Sequence, residues 1–211
     1  MTDFWSKYGA KLIQAIIIHF QYVFVSVAIG SVIAIVLGVF LTRVPKLSKF
    51  VMPIIGVFQT IPGIVFIGIL FIYLGMEPIT VIIALSIYAI FPVLKNTYAG
   101  ILDVDDFYIE AARGCGMSDW GILFRVELPM AVHSIIGGIR MSTVYTVSWA
   151  VLAAMIGQGG LGDFIYTGID SNVQLYIVIG AVPAAIMAIL LGFLIDKIQY
   201  YASPKYMRRR G

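Results

Sequence analysis

Long uncharged, apolar runs alternate with short polar segments along this chain. The uncharged runs cover residues 12–42, 50–76, 78–94, 141–162 and 171–195. About 20 helical residues cross a hydrocarbon core of about 30 Å, so most of these runs are long enough to span a bilayer. The run 78–94 reaches that length together with the residues that follow Lys95. We expect helices, because backbone amides in lipid must be bonded within their own segment and these runs exceed the length of barrel strands.

This pattern predicts an all-α integral membrane protein with a single transmembrane domain over residues 1–211. The share of hydrophobic residues, 61%, agrees with that class, since soluble domains average roughly 45–50%. We place five transmembrane helices at about 19–41, 52–74, 79–99, 131–156 and 174–195.

The distribution of lysine and arginine predicts how the spans are oriented. Ten basic residues after spans one, three and five fall on one side of the membrane: Arg43, Lys46, Lys49, Arg113, Arg125, Lys197, Lys205, Arg208, Arg209 and Arg210. The other side has Lys7 and Lys11, accompanied by acidic residues. By the positive-inside rule, the N-terminus then lies outside and the C-terminus lies in the cytoplasm. The net charge of +3 is an orientation signal and gives no support for nucleic-acid binding.

Helix-breaking residues recur inside the predicted spans. The stretch QTIPGI at 59–64 contains Gln59 and Pro62, and Pro92 and Pro183 interrupt two other spans. A kink is tolerated in a membrane where neighbouring helices or a water-lined cavity satisfy the freed backbone groups. Simple helix packing and the bent wall of a translocation path both explain these breaks, and the sequence leaves both open.

Span four carries a polar stripe and a charge. Four of its residues recur at helical spacing: Ser142, Tyr145, Thr146 and Trp149. Such a stripe either lines an aqueous path or supplies hydrogen bonds between helices. Arg140, in the same span, either faces protein or water or extends toward the membrane surface. With Gln59 and Pro62 of span two, these residues are candidates for a translocation path.

The sequence does not support a catalytic or a nucleotide-binding function for this chain. GQGGLG at 157–162 has the letters of a dinucleotide fingerprint, but it follows a predicted transmembrane span, so we interpret it as an external turn. No phosphate-binding loop with its glycine–lysine pair occurs, so ATP would have to be hydrolysed by another subunit. His19 and His133 fall near opposite membrane faces in this topology, which argues against a shared metal site. No pair of carboxylates lies within a span, so an intramembrane enzyme, which needs ionisable groups at membrane depth, is poorly supported.

The longest polar segment, residues 103–129, predicts a helix, a glycine turn and a second helix. Asp105 and its acidic neighbours suit a helix start, Gly116 can close that helix in a left-handed conformation, and Ser118 can cap the next one. Each helix is expected to carry an apolar stripe, formed by Tyr108, Ala111, Ala112 and Cys115 and then by Ile122, Leu123 and Val126. Such a helix pair either docks into a partner or lies on the membrane surface.

At these residues the sequence resembles the permease subunits of binding-protein-dependent ABC importers. Their cytoplasmic loop carries E-A-A, three residues, G, nine residues, I, one residue and L-P. The corresponding residues here are Glu110, Ala111, Ala112, Gly116, Val126, Leu128 and Pro129, with valine in place of isoleucine. The resemblance implies a type I ABC importer permease fold, in which this loop enters a cleft of a separate cytoplasmic ATPase and couples ATP-driven closure to the spans.

Three further stretches resemble the osmoprotectant branch of that family, which imports glycine betaine, carnitine and choline. They are KNTYAGI at 95–101, GIRMSTVYTVSWA at 138–150 and IGQGGLGDFIYTGI at 156–169. The resemblance implies a bacterial cell-membrane protein that works with an ATPase pair, a second permease chain of the same or a sister kind, and a separate extracytoplasmic binding protein. ATP and Mg²⁺ would be bound by the ATPase, with no cofactor in this chain.

Other functions remain as alternatives at this point. An importer of another small solute, such as methionine, shares the loop motif. An ATP-independent secondary transporter or a structural membrane protein is less well supported, since no carboxylate lies at membrane depth to couple an ion. Tyr145 and Trp149 would suit a cation–π contact with a quaternary ammonium solute, but aromatic residues in helical spans more often serve packing.

Overall fold

The structure, a computed structural model, describes residues 2–202, with side chains from residue 8 onward. The predicted orientation also used Lys7, Lys205, Arg208, Arg209 and Arg210. The side chains of these five residues lie outside the described part.

Helices account for nearly all of the described chain, which confirms the predicted fold class. Nine α-helices occur within residues 2–202: α1 Thr2–Arg43, α2 Pro45–Phe58, α3 Gly63–Leu74, α4 Pro78–Leu102, α5 Asp106–Gly114, α6 Asp119–Ile122, α7 Leu128–Ala150, α8 Gly162–Asp170 and α9 Gln174–Ala202. A π-helical turn, Leu123–Glu127, joins α6 to α7, and a 3₁₀ turn, Val151–Ile156, extends α7.

Four of these helical stretches are long and apolar enough to cross a membrane. They are Tyr8–Arg43, Pro78–Leu102, Asp119–Ile156 and Gln174–Ala202. A fifth span results if α2 and α3 are counted together, although the two helices are bent by 97°. The number of predicted spans is thus recovered only when this bent pair is taken as one of them.

The span placed at 52–74 is interrupted between α2 and α3, at the helix-breaking stretch that the sequence predicts there. Pro62 has no amide hydrogen to continue α2, and it takes an extended ψ of 129° at the start of α3. The carbonyl oxygen of Pro62 then accepts hydrogen bonds from the amides of Val65 and Phe66 at 2.9 and 3.1 Å. α2 thus ends at Phe58, four residues before this proline, and Pro62 is the N-cap of α3.

The helix that contains the fourth span begins earlier than the expected residue 131. It starts at Asp119 and continues through the π-helical turn into α7, so the second helix of the 103–129 segment is continuous with the span. The amide of Leu128 donates to the carbonyl of Leu123, five residues back, and Pro129 next to it has no amide to donate. The wider turn lets the helix pass this proline without ending.

Close contact between α1, α4 and α7 forms the centre of the bundle. A Cβ atom added at Gly30 would lie 2.7 Å from the carbonyl oxygen of Ser86 and 2.8 Å from the Cβ of Ala89, so only glycine permits this approach of α1 to α4. The central apolar cluster, which includes Val23, Leu85 and Val147, also takes in part of α3.

Contacts between helices fix their relative directions. Three contacts show which residues of neighbouring helices lie at the same height in the bundle: Ser26 with Ile82, Ser142 with Ala89, and Arg140 with Asp196. Combined with the contact of Gly38 with Thr97, they make α1 and α4 parallel, whereas α7 runs opposite to α4. The 103–129 segment and the end of α1 therefore lie at one end of the bundle, which we call the Arg43 end. The GQGGLG turn and the start of α4 lie at the other, the Lys11 end.

Candidate functional site

The 103–129 segment has the helix, turn and helix that its sequence predicts. The carboxylate of Asp105 accepts a hydrogen bond from the amide of Phe107 at 2.9 Å, and the hydroxyl of Ser118 accepts one from the amide of Gly121 at 3.2 Å. Between the two caps, Gly116 has a φ of +78°, the left-handed region that glycine adopts without strain. Both predicted caps and the glycine turn are confirmed as local structure.

The motif residues divide between an outward and an inward side. Glu110, Ala111, Gly116 and Pro129 are exposed, whereas Val126 and Leu128 are half-buried and Ala112 is buried. The expected apolar stripe on the first helix is therefore not a buried face, since Tyr108 and Cys115 are exposed with Ala111. The stripe on the second helix is buried at Ile122 and Leu123.

Four exposed aromatic side chains lie in the same 103–129 segment as the outward motif residues. Phe107, Tyr108, Trp120 and Phe124 have exposed fractions of 70%, 46%, 70% and 61%. Phe107 packs edge-on to Tyr108 with ring centroids 5.7 Å apart, and Trp120 stacks on Phe124 at 6.1 Å. Aromatic rings held outward in a polar segment are typical of a protein contact surface. The sequence-based prediction of this surface did not include Phe107, Trp120 and Phe124. Their position in a polar segment that carries the motif could have identified them.

A cavity of about 370 Å³ lies where the α2–α3 break meets α4 and α7. We call it the aromatic cavity, and its lining residues are Gln59, Tyr88, Phe91, Pro92, Tyr145, Thr146 and Trp149. Of the candidate path residues, it brings together Gln59, Tyr145, Thr146 and Trp149. Tyr88 and Phe91 could not be singled out from sequence, because they lie on another helix, within an evenly apolar run.

One ring stack within the wall of this cavity and two contacts with the α2–α3 break hold this part of the protein together. The rings of Tyr88 and Trp149 stack with centroids 4.6 Å apart and planes 15° from parallel, and the Tyr88 hydroxyl donates to the carbonyl of Ile61 at 3.0 Å. A Cβ atom added at Gly63, the first residue of α3, would overlap the Trp149 ring. The position of α3 and the position of the Trp149 ring therefore depend on each other.

The remaining candidate path residues do not line the aromatic cavity. Ser142 is fully buried and donates to the carbonyl of Ala89 at 2.9 Å, which is interhelical packing. Arg140 pairs with Asp196 of α9 at 2.6 Å, and both side chains are about half exposed, at 46% and 45%. Pro62 is exposed at the helix break. Asp196 was missed as a partner because it falls just past the end of the predicted fifth span.

A second cavity, of about 760 Å³, opens at the Lys11 end beside the GQGGLG turn. Gln158 of this turn donates to the carbonyl of Met76 at 2.8 Å, and its own carbonyl accepts from the Tyr22 hydroxyl at 2.9 Å. The turn connects two helical segments, and no strand precedes it in the described chain. A dinucleotide fingerprint follows a β-strand, so this turn is not one. Burial raises the pKa of Asp163, which lines this cavity, while the Lys11 charge acts against that shift.

The two histidines are far apart in the fold. His19 is buried in the bundle, where its Nε2 lies 3.0 Å from the carbonyl oxygen of Val147. His133 is exposed near the start of α7. Among the described residues, no group of three or more His, Cys, Asp or Glu side chains is close enough to hold a metal ion.

Comparisons with known proteins agree over almost the whole chain. A family model described as the binding-protein-dependent transport system inner membrane component matches residues 12–208. The carnitine transport permease protein OpuCB of Listeria monocytogenes is 40% identical over 211 residues, covering 99% of this chain and 95% of that protein. The glycine betaine/carnitine/choline transport system permease protein OpuCB of Bacillus subtilis is 36% identical, covering 97% and 94%.

Among solved structures, the chain is similar to the methionine ABC transporter MetNI in an inward-facing conformation. The TM-score is 0.82 at 21% sequence identity, and the match covers 92% of this chain and 97% of that one. At this identity the comparison shows a common fold.

Proposed function

We propose, because the chain belongs to the family of binding-protein-dependent transport system inner membrane components, that it is a permease for quaternary ammonium osmoprotectants such as glycine betaine, carnitine and choline. Its apolar helical spans and its family make it an integral protein of the inner membrane, and its fold is the expected ABC importer permease fold. The observation that carries the choice of solute is the 40% and 36% identity to permeases named for carnitine and for glycine betaine, carnitine and choline.

In this proposal the 103–129 segment docks onto a separate ATPase pair. The exposed Glu110 and Ala111 and the exposed rings of Phe107 and Trp120 form the contact surface, and the capped helices hold it in shape. ATP and Mg²⁺ bind to that ATPase, since this chain has no phosphate-binding loop. The Arg43 end is then cytoplasmic, as the positive-inside rule predicts from Arg43, Lys46 and Lys49.

The translocation path lies, in the same proposal, between this chain and a second permease chain of the same or a sister kind. Gln59, Tyr145, Thr146 and Trp149 contribute to it from the aromatic cavity. Pro62 contributes as the break that bends the wall, whereas Ser142 and Arg140 hold α7 to α4 and α9. The extracytoplasmic binding protein delivers solute to the Lys11 end, and lipid surrounds the exposed apolar faces.

Transport by the complete system tests the proposal. The permease, its ATPase and its binding protein are placed in proteoliposomes, with ATP trapped inside and binding protein and radiolabelled glycine betaine outside. We expect uptake that a non-hydrolysable ATP analogue abolishes. Uptake without ATP would contradict an ATP-driven importer. Uptake of methionine in place of glycine betaine would contradict the proposed solute.

A further inference from the structure

The aromatic cavity combines several aromatic rings with an absence of charged side chains. Four aromatic rings line it, those of Tyr88, Phe91, Tyr145 and Trp149. The described lining includes no Asp, Glu, Lys, Arg or His. Its volume, about 370 Å³, falls within the roughly 300–1,000 Å³ of small-molecule sites. A site of this composition excludes most ions, because it offers no countercharge in exchange for water.

A quaternary ammonium ion is the exception to this rule. Its charge is spread over methyl groups that have no hydrogen-bond donor. Removing its water therefore costs less free energy than removing water from an ammonium or metal ion. Aromatic ring faces carry negative quadrupole charge and attract such a cation within about 6 Å of the ring centroid. From these features we infer that the aromatic cavity is a solute subsite that holds the quaternary ammonium head group during translocation. The inference rests on the proposed function and adds a place and residues to it.

Polar groups of the cavity suit the other end of such a solute. Gln59 offers amide donors and is exposed at the end of α2, and Thr146 offers a hydroxyl oxygen. The carboxylate of a betaine can accept a hydrogen bond from the Gln59 amide, whereas the hydroxyl of choline can donate to the amide oxygen of Gln59 or to the Thr146 oxygen, whose own proton is donated to the carbonyl of Ser142. Because no carboxylate pairs with the cation, the affinity is low, as release during each transport cycle requires.

The cavity is connected to the only sharp bend among the described spans. The Tyr88 bond to Ile61 and the contact of Gly63 with Trp149 join its wall to the α2–α3 break, and the stack of Tyr88 on Trp149 joins these two wall residues to each other. A change in the angle between α2 and α3 would therefore alter the spacing of the rings. The subsite is placed where a hinge at Pro62 can open and close it.

Tyr145 gives the cleanest test of the subsite. Its side chain is half exposed, at 50%, so shortening it disturbs the packing less than changing Tyr88 or Phe91, which are buried. The permease–ATPase complex in nanodiscs, without binding protein, is titrated with choline and, separately, with 3,3-dimethylbutan-1-ol, its uncharged isostere. Saturation-transfer NMR on the methyl protons detects weak binding of either probe.

We expect saturable transfer to choline and much weaker transfer to the isostere. Tyr145→Leu should weaken choline binding by roughly fivefold, since one cation–π contact is lost, whereas Tyr145→Phe keeps the ring and stays within about twofold. Tyr73→Leu, at an exposed tyrosine of α3 outside the cavity, should leave binding unchanged.

Three results would overturn the subsite. They are equal transfer to both probes, choline binding that Tyr145→Leu leaves intact, and no transfer at all, as when a lipid chain or the second permease fills the cavity. If the wild-type system imports glycine betaine in proteoliposomes but choline fails this test, only the subsite is wrong. If it imports no quaternary ammonium solute, the proposed function fails and the subsite fails with it.

Discussion

Arg43, the last residue of α1, forms a bidentate ion pair with Glu127 in the π-helical turn before α7. The guanidinium donates from Nη1 to Oε1 at 3.2 Å and from Nη2 to Oε2. Glu127 is only 4% exposed, so its carboxylate depends on this partner. The pair connects the base of the 103–129 segment to a helix more than 80 positions away in the chain.

Removing one partner of this pair should cost more than removing both. Arg43→Met leaves a nearly buried carboxylate without its cation, and we expect a loss of the order of 2 kcal/mol. The loss is smaller than the roughly 3–5 kcal/mol of a fully buried pair, because the Arg43 side chain is 42% exposed. Thermal unfolding of the purified protein in detergent measures it.

The double variant Arg43→Met with Glu127→Leu is the control for that prediction. It removes the carboxylate together with the guanidinium, and we expect it to recover part of the lost stability. A double variant as unstable as the sum of the two single variants would show that the two side chains do not interact.

Gly116→Ala should disturb the 103–129 segment through backbone strain alone. A Cβ atom there meets nothing within 4 Å, but φ is +78°, which costs an alanine roughly 1 kcal/mol or more. We expect ATP hydrolysis to persist while uptake per ATP falls, because the outward motif residues shift relative to the docked ATPase. Glu110→Lys, which reverses the exposed charge, should have the same effect.

The chain offers a matched control for this variant two residues earlier. Gly114 ends α5, also has open space around it, and has no positive φ. Gly114→Ala should therefore leave coupling unchanged. Equal loss of coupling in Gly114→Ala and Gly116→Ala would remove the conformational explanation.

Gly63→Ala should displace either Trp149 or the start of α3. The added methyl group would overlap the indole ring, and overpacking of this kind costs about 1–3 kcal/mol. We expect a lower melting temperature and a changed Trp149 environment in near-ultraviolet circular dichroism. Gly68→Ala on the same helix meets nothing within 4 Å and should be neutral or slightly stabilising. Similar behaviour of the two variants would contradict the contact.

Ser142→Ala should affect stability and spare transport. The hydroxyl donates from α7 to the Ala89 carbonyl of α4, and its loss should cost about 0.5–1.5 kcal/mol. Uptake measured at a temperature where the variant is fully folded should match that of the wild type. A large fall in uptake without a fall in melting temperature would show that Ser142 contributes to the translocation path and not only to packing.

Much of the membrane architecture follows from local sequence. The lengths of the apolar runs predict the spans, and Asp105, Gly116 and Ser118 predict the local form of the 103–129 segment because capping depends on neighbours within a few residues. The break at Pro62 was visible as a helix-breaking stretch. Its 97° bend was not, since the angle is set by what α3 packs against.

The composition of the cavity shows where local reasoning ends. Helical spacing puts Ser142, Tyr145, Thr146 and Trp149 near one face of α7, yet Ser142 packs against α4 while the other three line the aromatic cavity. The helix opposite each residue decides between these outcomes. The same limit explains why the partners Tyr88, Asp196 and Glu127 were not foreseen, since each contact joins residues from distant parts of the chain.

The π-helical turn at Leu123–Glu127 has a consequence for the phase between the two ends of its helix. A π turn holds one residue more than an α turn, and one residue corresponds to about 100° of rotation about the helix axis. Because the wider turn takes up this residue, deleting one residue there would restore an unbroken α-helix with nearly unchanged phase, whereas winding all of the present residues as α-helix would rotate Trp120 and Ser118 by about that angle relative to Tyr145 and Trp149. The π turn thus sets which direction the exposed side of the 103–129 segment faces for a given orientation of the aromatic cavity.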